Sequence, residues 1–200
     1  FWASIAEYDP SDGRYHIRGV MGPDEYHEGY PDRDEPGLDN NTYTNVMTVW
    51  VLERAQALLA HLSKHRRAEL LQMLALSDEE LAEWDRISRR MRLVFHRDGI
   101  LSQFEGYEEL EEFDWDGYRA RYGNIQRLDR ILEAEGDTPN RYKLSKQSDV
   151  LMLFYLLSII AALIHSWVKT PKQDVGPSGL GWVLLGMGIG FSGILLWAVY

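Results

Sequence analysis

The chain has 200 residues, a net charge of −10, no cysteine, and hydrophobic side chains at 45% of positions. Its acid excess falls almost wholly before Asp149, which argues against a nucleic-acid partner because nothing would neutralise phosphates. Without cysteine there is no disulfide and no thiolate metal site, a composition that fits a reducing compartment. The length suits one domain or two, and Phe1 in place of a starting Met marks a piece of something longer or a processed product.

Residues 1–38 are rich in Gly, Pro, Asp and Tyr and show no helical period, so they read as loop with short extended pieces such as Tyr15–Val20. Such a long loop is functional or disordered, and this one is too aromatic for disorder. From Asn41 the pattern turns helical. Val46, Val49, Trp50, Leu52, Ala57, Leu58 and Leu62 form an apolar stripe, with Asp39 or Asn40 as the expected cap. Ser77-Asp78-Glu79-Glu80 is a capping box that opens a second helix through Leu81, Trp84, Ile87 and Met91. Arg89, Arg90 and Arg92 near its end suit the helix dipole.

His96 to Trp115 reads as loop with a short strand over Ile100–Phe104, and the acidic run Glu105–Asp114 as a solvated rim. Helical turns are expected within Asp116–Glu135, a turn at Gly136–Asn140, and a third long helix capped by Ser145 and running from Lys146. Val150–Val168 and Leu180–Tyr200 are long and apolar, separated by a polar hinge. For Leu180–Tyr200 a membrane span is the favoured reading, since it carries no charge and ends in Trp197 and Tyr200. Gly186, Gly188, Gly190 and Gly193 in that segment suit helix contacts in lipid. Val150–Val168 fits a span and a buried helix equally well.

The chemistry concentrates in Gly22-Pro23-Asp24-Glu25-Tyr26-His27-Glu28 and the following Asp39-Asn40-Asn41-Thr42-Tyr43-Thr44-Asn45. Carboxylates held on a Gly-Pro turn among sugar-sized polar groups are what acid-catalysed cleavage of a glycosidic bond requires. Glu25 is the candidate acid. Beside Asp24 and Tyr26 it is expected to have a raised pKa and so keep its proton near neutrality. His27 is a candidate for a sugar hydrogen bond or for stabilising the loop. Lys146 and Gln147, at the expected helix start, are candidate donors to sugar hydroxyls, or simply an exposed helix end. Seven Trp and eleven Tyr serve either core packing or sugar stacking. The histidines His16, His27 and His96 have no metal-site spacing with any carboxylate, and no nucleotide or phosphate-loop motif fits its context.

Val20–Glu28 and Leu38–Asn45, with Ser102–Tyr107 and Tyr142–Val150, resemble the catalytic region of glycoside hydrolase family 65. That family holds inverting phosphorylases of maltose, trehalose, kojibiose and nigerose, with some hydrolases. The resemblance runs from Phe1 to about Leu157. It implies part of an (α/α)6 barrel, with residues 1–157 as the barrel fragment. The pattern of the residues themselves reads as all-α with long loops, followed by apolar C-terminal helices; residues 158–200 are an apolar tail outside the family's pattern, with a span expected over 180–200.

The resemblance further implies Glu25 as general acid, Lys146 and Gln147 on the glucose ring, and Asp24, His27 and Asn41 as further substrate-binding residues. No cofactor or metal is expected. Inorganic phosphate is the co-substrate and an α-glucoside disaccharide the substrate, giving β-glucose 1-phosphate with inversion. The catalytic part is expected in the cytoplasm, with membrane association through the tail and a homodimer for a complete parent. The upstream barrel helices and the downstream phosphate-binding loop fall outside this sequence, so the chain by itself is expected to be an incomplete, inactive enzyme. Three alternatives stay open: a hydrolase using water, a membrane-tethered carbohydrate-binding protein without catalysis, and a tail that is a frameshift or chimeric join.

Overall fold

The structure, a computed structural model, describes residues 1–169, and the side chains of its last helix as far as residue 159. The expected span over 180–200 lies outside the described residues. The chain divides between Leu156 and Leu157.

The first unit is mainly helical but is not all-α. Strands β1 (Glu7–Asp9) and β2 (Arg14–His16) pair antiparallel, with Tyr8 opposite Tyr15. The stretch before residue 17, expected as loop with short extended pieces, thus closes as a hairpin, the one departure from the all-α reading of the first part. Helix α1 (Thr42–His61) is capped by Asn41, whose side-chain oxygen accepts from the Thr44 N–H at 3.0 Å. The expected caps lie one and two residues too early, because Asn40 sits in the left-handed region at φ 50° and serves a different purpose.

Helix α2 (Lys64–Leu74) has no sequence expectation behind it. It buries no side chain, so no apolar stripe betrays it. It starts at a Ser63 cap onto the Arg66 N–H and ends at Ala75 in the left-handed conformation, φ 53°. Helix α3 (Asp78–Arg90) begins at the expected capping box, with Ser77 accepting from the Glu80 N–H at 3.1 Å. Helices α1 and α3 pack together, and Tyr15, Ile17, Leu52, Ile87 and Met91 form a core between them and the hairpin.

After α3 the chain runs as loop, with an isolated Phe95–Leu101 bridge in place of the expected strand. Short helices α4 (Trp115–Tyr122) and α5 (Leu128–Ala134) follow. A second core, Tyr26, Phe113, Leu128, Leu132 and Leu144, joins this region to the turn that carries Glu25. Helix α6 (Asp149–Lys169) starts three residues after Lys146, so Lys146 and Gln147 lie on the loop before it and not at its first turn. Among the described residues no helix is long and apolar enough to cross a membrane. Val150–Val168 runs on past residue 159, the last of this helix whose side chain is described.

Candidate active site

Glu25 is carried on a loop that is closed at its base. Val20 and Leu38 exchange both backbone hydrogen bonds, at 3.1 and 2.7 Å, and Gly37 N–H bonds to the Glu28 carbonyl at 2.6 Å. Gly37 has φ 101°, and a Cβ there would stand 2.6 Å from the Gly19 Cα. Only glycine permits that approach.

Beneath the loop lies a buried polar cluster. Asp149 is 2% exposed, and its two carboxylate oxygens accept from the Asp24 backbone N–H at 2.7 Å and from the Asn41 side-chain amide. Asp24, also buried, uses one oxygen for two backbone N–H groups, Tyr26 at 3.2 Å and Lys146 at 2.9 Å. Its other oxygen lies 3.0 Å from His27 Nδ1. His27 Nε2 lies 3.0 Å from the Tyr142 carbonyl. A carbonyl can only accept, so Nε2 is the donor in that contact. Burial pushes the Asp149 carboxyl above its ordinary pKa, against the lowering effect of the Asn41 hydrogen bond.

This cluster stitches the acid turn to a segment more than a hundred residues away. Glu25 itself points outward and is exposed. Lys146 Nζ sits 2.6 Å from Glu25 Oε2, and Gln147 Nε2 lies 3.2 Å from Oε1 and 2.6 Å from the Pro23 carbonyl. The hydrogen bonds from Lys146 and then Gln147 hold the Glu25 carboxyl below the usual carboxylate range. The raised pKa expected from the sequence is therefore reversed in the sugar-free structure. The Asp24 neighbour is turned inward, while a cation from across the chain is in contact.

Of the residues singled out in the sequence, Glu25, Lys146 and Gln147 meet at one exposed place. Asp24, His27 and Asn41 lie beneath it, buried and bonded to protein atoms. Their side-chain polar atoms are bonded to Lys146, Tyr26, Tyr142, Asp149 and Thr44 and to one another. Glu105 departs from the solvated rim: its carboxylate accepts from Asn40 Nδ2 at 2.6 Å, and Asn40 also reaches His16 Nδ1 at 2.9 Å. Asp149, which anchors the buried cluster, has no role in the expectations drawn from the sequence. Its position beside Ser148 signals a helix start, but nothing local signals the partner at Asp24.

Beside Lys146 a wide-mouthed groove of about 630 Å³ opens, lined by Tyr26, Trp115, Arg119, Asn124, Gln126 and Lys146 among others. A solvent-facing carboxylate on a buried turn, met by an ammonium and an amide beside such a groove, is an arrangement that general-acid chemistry can use. The sequence comparisons agree: residues 1–170 match the glycosyl hydrolase family 65 central catalytic domain, and the chain belongs to that family.

The match extends past Leu157, where the sequence reading ends the resemblance. Relatives include an uncharacterized glycosyl hydrolase of Mycobacterium tuberculosis, 60% identical over 79% of this chain and 12% of its own length. Trehalose 6-phosphate phosphorylase of Lactococcus lactis is 41% identical, and a kojibiose phosphorylase of Halothermothrix orenii 35%. Each of these two aligns over 78% of this chain and 19% of its own length. The chain thus spans less than a fifth of the length of these relatives. A solved structure titled a putative kojibiose phosphorylase from human microbiome shares the fold with a TM-score of 0.60 at 23% identity, covering 78% of this chain and 20% of that one.

Proposed function

We propose that this chain carries the acid and the sugar-holding pair of an inverting α-glucoside phosphorylase built on an (α/α)6 barrel. The reaction cleaves a glucose disaccharide with inorganic phosphate into β-glucose 1-phosphate and a free sugar. The observation that supports this most is the meeting of Glu25 with Lys146, 121 residues apart in sequence, in a family whose relatives include disaccharide phosphorylases.

In this reading Glu25 gives its proton to the glycosidic oxygen as the C1–O bond breaks. A phosphate oxygen bonds to C1 from the opposite face. The proton that phosphate sheds on becoming an ester restores Glu25. Phosphate arrives as an anion, so no second carboxylate is needed to activate it, whereas water attack needs a base roughly 6.5–9.5 Å from the acid. Lys146 and Gln147 hold hydroxyls of the cleaved glucose. Asp24, His27, Asn41 and Asp149 keep the turn and the lysine in register.

The sugar-free ion pair must loosen before Glu25 can act. A glucose ring that draws the ammonium and amide onto its hydroxyls, and strips water from the carboxyl, favours proton uptake on both counts.

The test is turnover of α-linked glucose disaccharides by the full-length protein, with and without phosphate, with the product anomer read by NMR. Phosphate-dependent β-glucose 1-phosphate is expected. Glu25→Gln is expected to lower kcat by about 10²–10⁴-fold while sugar binding persists. Glucose release that ignores phosphate would assign hydrolysis instead. Undiminished turnover of an unactivated disaccharide by Glu25→Gln would remove Glu25 from the acid role.

A further inference from the structure

We propose that Gln103 is a positioning residue that fixes Lys146 and Gln147 for the reaction by clamping the loop that carries them; the link to the reaction rests on Glu25 being the acid and on this pair holding the sugar. Lys146 and Gln147 stand before α6 and lack the support of a helical turn. Tertiary hydrogen bonds hold them instead. On the upstream side Asp24 Oδ1 accepts from the Lys146 N–H at 2.9 Å. On the downstream side Gln103 Oε1 accepts from the Ser148 hydroxyl at 3.2 Å and from the Val150 N–H at 3.2 Å. A backbone N–H can only donate, so it is the oxygen end of the Gln103 amide that faces α6. Between the two anchors stand only the two residues whose side chains meet Glu25.

Gln103 can act as an anchor because its own backbone is fixed. Its carbonyl accepts from the N–H of Thr42, the first residue of α1, at 2.9 Å. The Ser102 N–H bonds to the Val94 carbonyl at 2.9 Å and the Glu105 N–H to the Asp39 carbonyl at 3.0 Å. One buried residue therefore ties the start of α1 to the start of α6, directly beside the loop that bears the ammonium and the amide.

Tyr107 extends the clamp. Its hydroxyl donates to the carbonyl of the buried Leu144 at 3.4 Å. Burial raises the pKa of that hydroxyl, and its hydrogen bond with the Gln103 side chain works against the rise. The segment around Gln103 thus grips the loop on both sides of Lys146 and Gln147. The bonds of Gln103 go to the loop and to α1, so it acts on Glu25 through where those two side chains stand. Donors held in place before sugar arrives need not be ordered when it binds.

The test uses the full-length protein. Gln103→Leu removes the acceptor at similar size, and Tyr107→Phe removes only a hydroxyl. Ile87→Val, in the core beside the hairpin, is the control for lost stability alone. Hydrogen exchange of the 144–150 backbone in the sugar-free protein reads the clamp without any reaction. It is expected to quicken by at least about 5-fold in Gln103→Leu. With kojibiose or trehalose 6-phosphate as substrate, KM is expected to rise about 10-fold in Gln103→Leu and about 3-fold in Tyr107→Phe. The alkaline limb of kcat/KM is expected to move up in both, because a looser Lys146 holds the Glu25 carboxyl down less. Ile87→Val is expected to unfold more easily with its KM and limb in place.

Unchanged exchange over 144–150, or a KM and limb no different from those of Ile87→Val, would overturn the proposal. Should Gln103→Leu fail to fold, Tyr107→Phe decides on the same readings. Undiminished turnover in Glu25→Gln, with exchange still faster in Gln103→Leu, would sink the acid assignment and leave the clamp standing.

Discussion

Gly22→Ala is the sharpest probe of how the acid turn is held. A Cβ on residue 22 would stand 2.5 Å from Asn41 Nδ2 and 2.7 Å from Asp149 Cγ, and closer still to Asp149 Oδ2. None of these atoms is the free end of a flexible side chain. Asp149 is buried with both oxygens accepting, and Asn41 is at once its partner and the cap of α1. Making room means separating Asn41 from Asp149, or Asp149 from the Asp24 N–H. One hydrogen bond to a buried charge is worth roughly 1.5–3 kcal/mol, overpacking adds about 1–3 kcal/mol, and a disturbed cap adds about 1 kcal/mol. A loss of about 3.5–7 kcal/mol is expected from these contributions, a large share of the roughly 5–15 kcal/mol that holds a typical protein folded. Gly29→Ala is the control, since a Cβ there meets nothing nearer than the Glu35 carbonyl at 3.4 Å. Urea unfolding of both variants in the full-length protein, with turnover measured alongside, decides the matter. A Gly22→Ala protein within about 1 kcal/mol of wild type, and no less active than Gly29→Ala, would refute the reasoning.

Further outcomes follow from the same geometry. Lys146→Met removes the first cause of the lowered Glu25 carboxyl, so the Glu25 pKa in the sugar-free protein is expected to rise. A general acid works only while protonated, so activity falls as pH rises through its pKa. The alkaline limb of kcat/KM, which reports the free enzyme, is therefore expected at lower pH than that of kcat in the wild type, and to move up in Lys146→Met. A limb that stays in place separates Lys146 from proton control. The matching contribution to stability runs the other way: a depressed carboxyl stabilises above its unfolded pKa and loses that as pH falls through the folded one. Ala75→Gly, at φ 53° after α2, is expected to stabilise by about 0.5–1 kcal/mol. Thermal unfolding reads the sign, and a destabilised variant would contradict the left-handed cap.

The parts of this molecule that sequence could announce are those whose cause is local. The Ser77–Glu80 box announces α3 because the cap and its recipient N–H are three residues apart. The stripe through Leu52 announces α1 because one face of it is buried. Helix α2 buries nothing, so its only signals are the Ser63 cap and ordinary propensity, which a search for apolar periodicity passes over. The acid turn was legible in its composition, and the arrival of Lys146 and Gln147 was implied by the family resemblance. The sign of the Glu25 shift was not legible, because it depends on contact with an ammonium 121 residues away. Asp24 and His27 read as site residues for their chemistry, yet that same chemistry is turned inward, where Asp149 and the Tyr142 carbonyl meet it.

The pinch at Gly37 makes the chain around Glu25 modular. With Val20 bonded to Leu38, and Gly29 bridged to Pro36, residues 31–35 extend from a closed base, to which Arg33 is tied by its pair with Asp39 at 2.9 Å. Their length can change without transmitting a shift to Gly22–Glu28, and each doubling of such a loop costs only about 0.6 kcal/mol in closure entropy. Tyr30, whose hydroxyl donates to the Glu105 carbonyl at 2.8 Å, anchors the near side of this finger. Descent can therefore lengthen or shorten this finger while Gly22–Glu28 keeps its place.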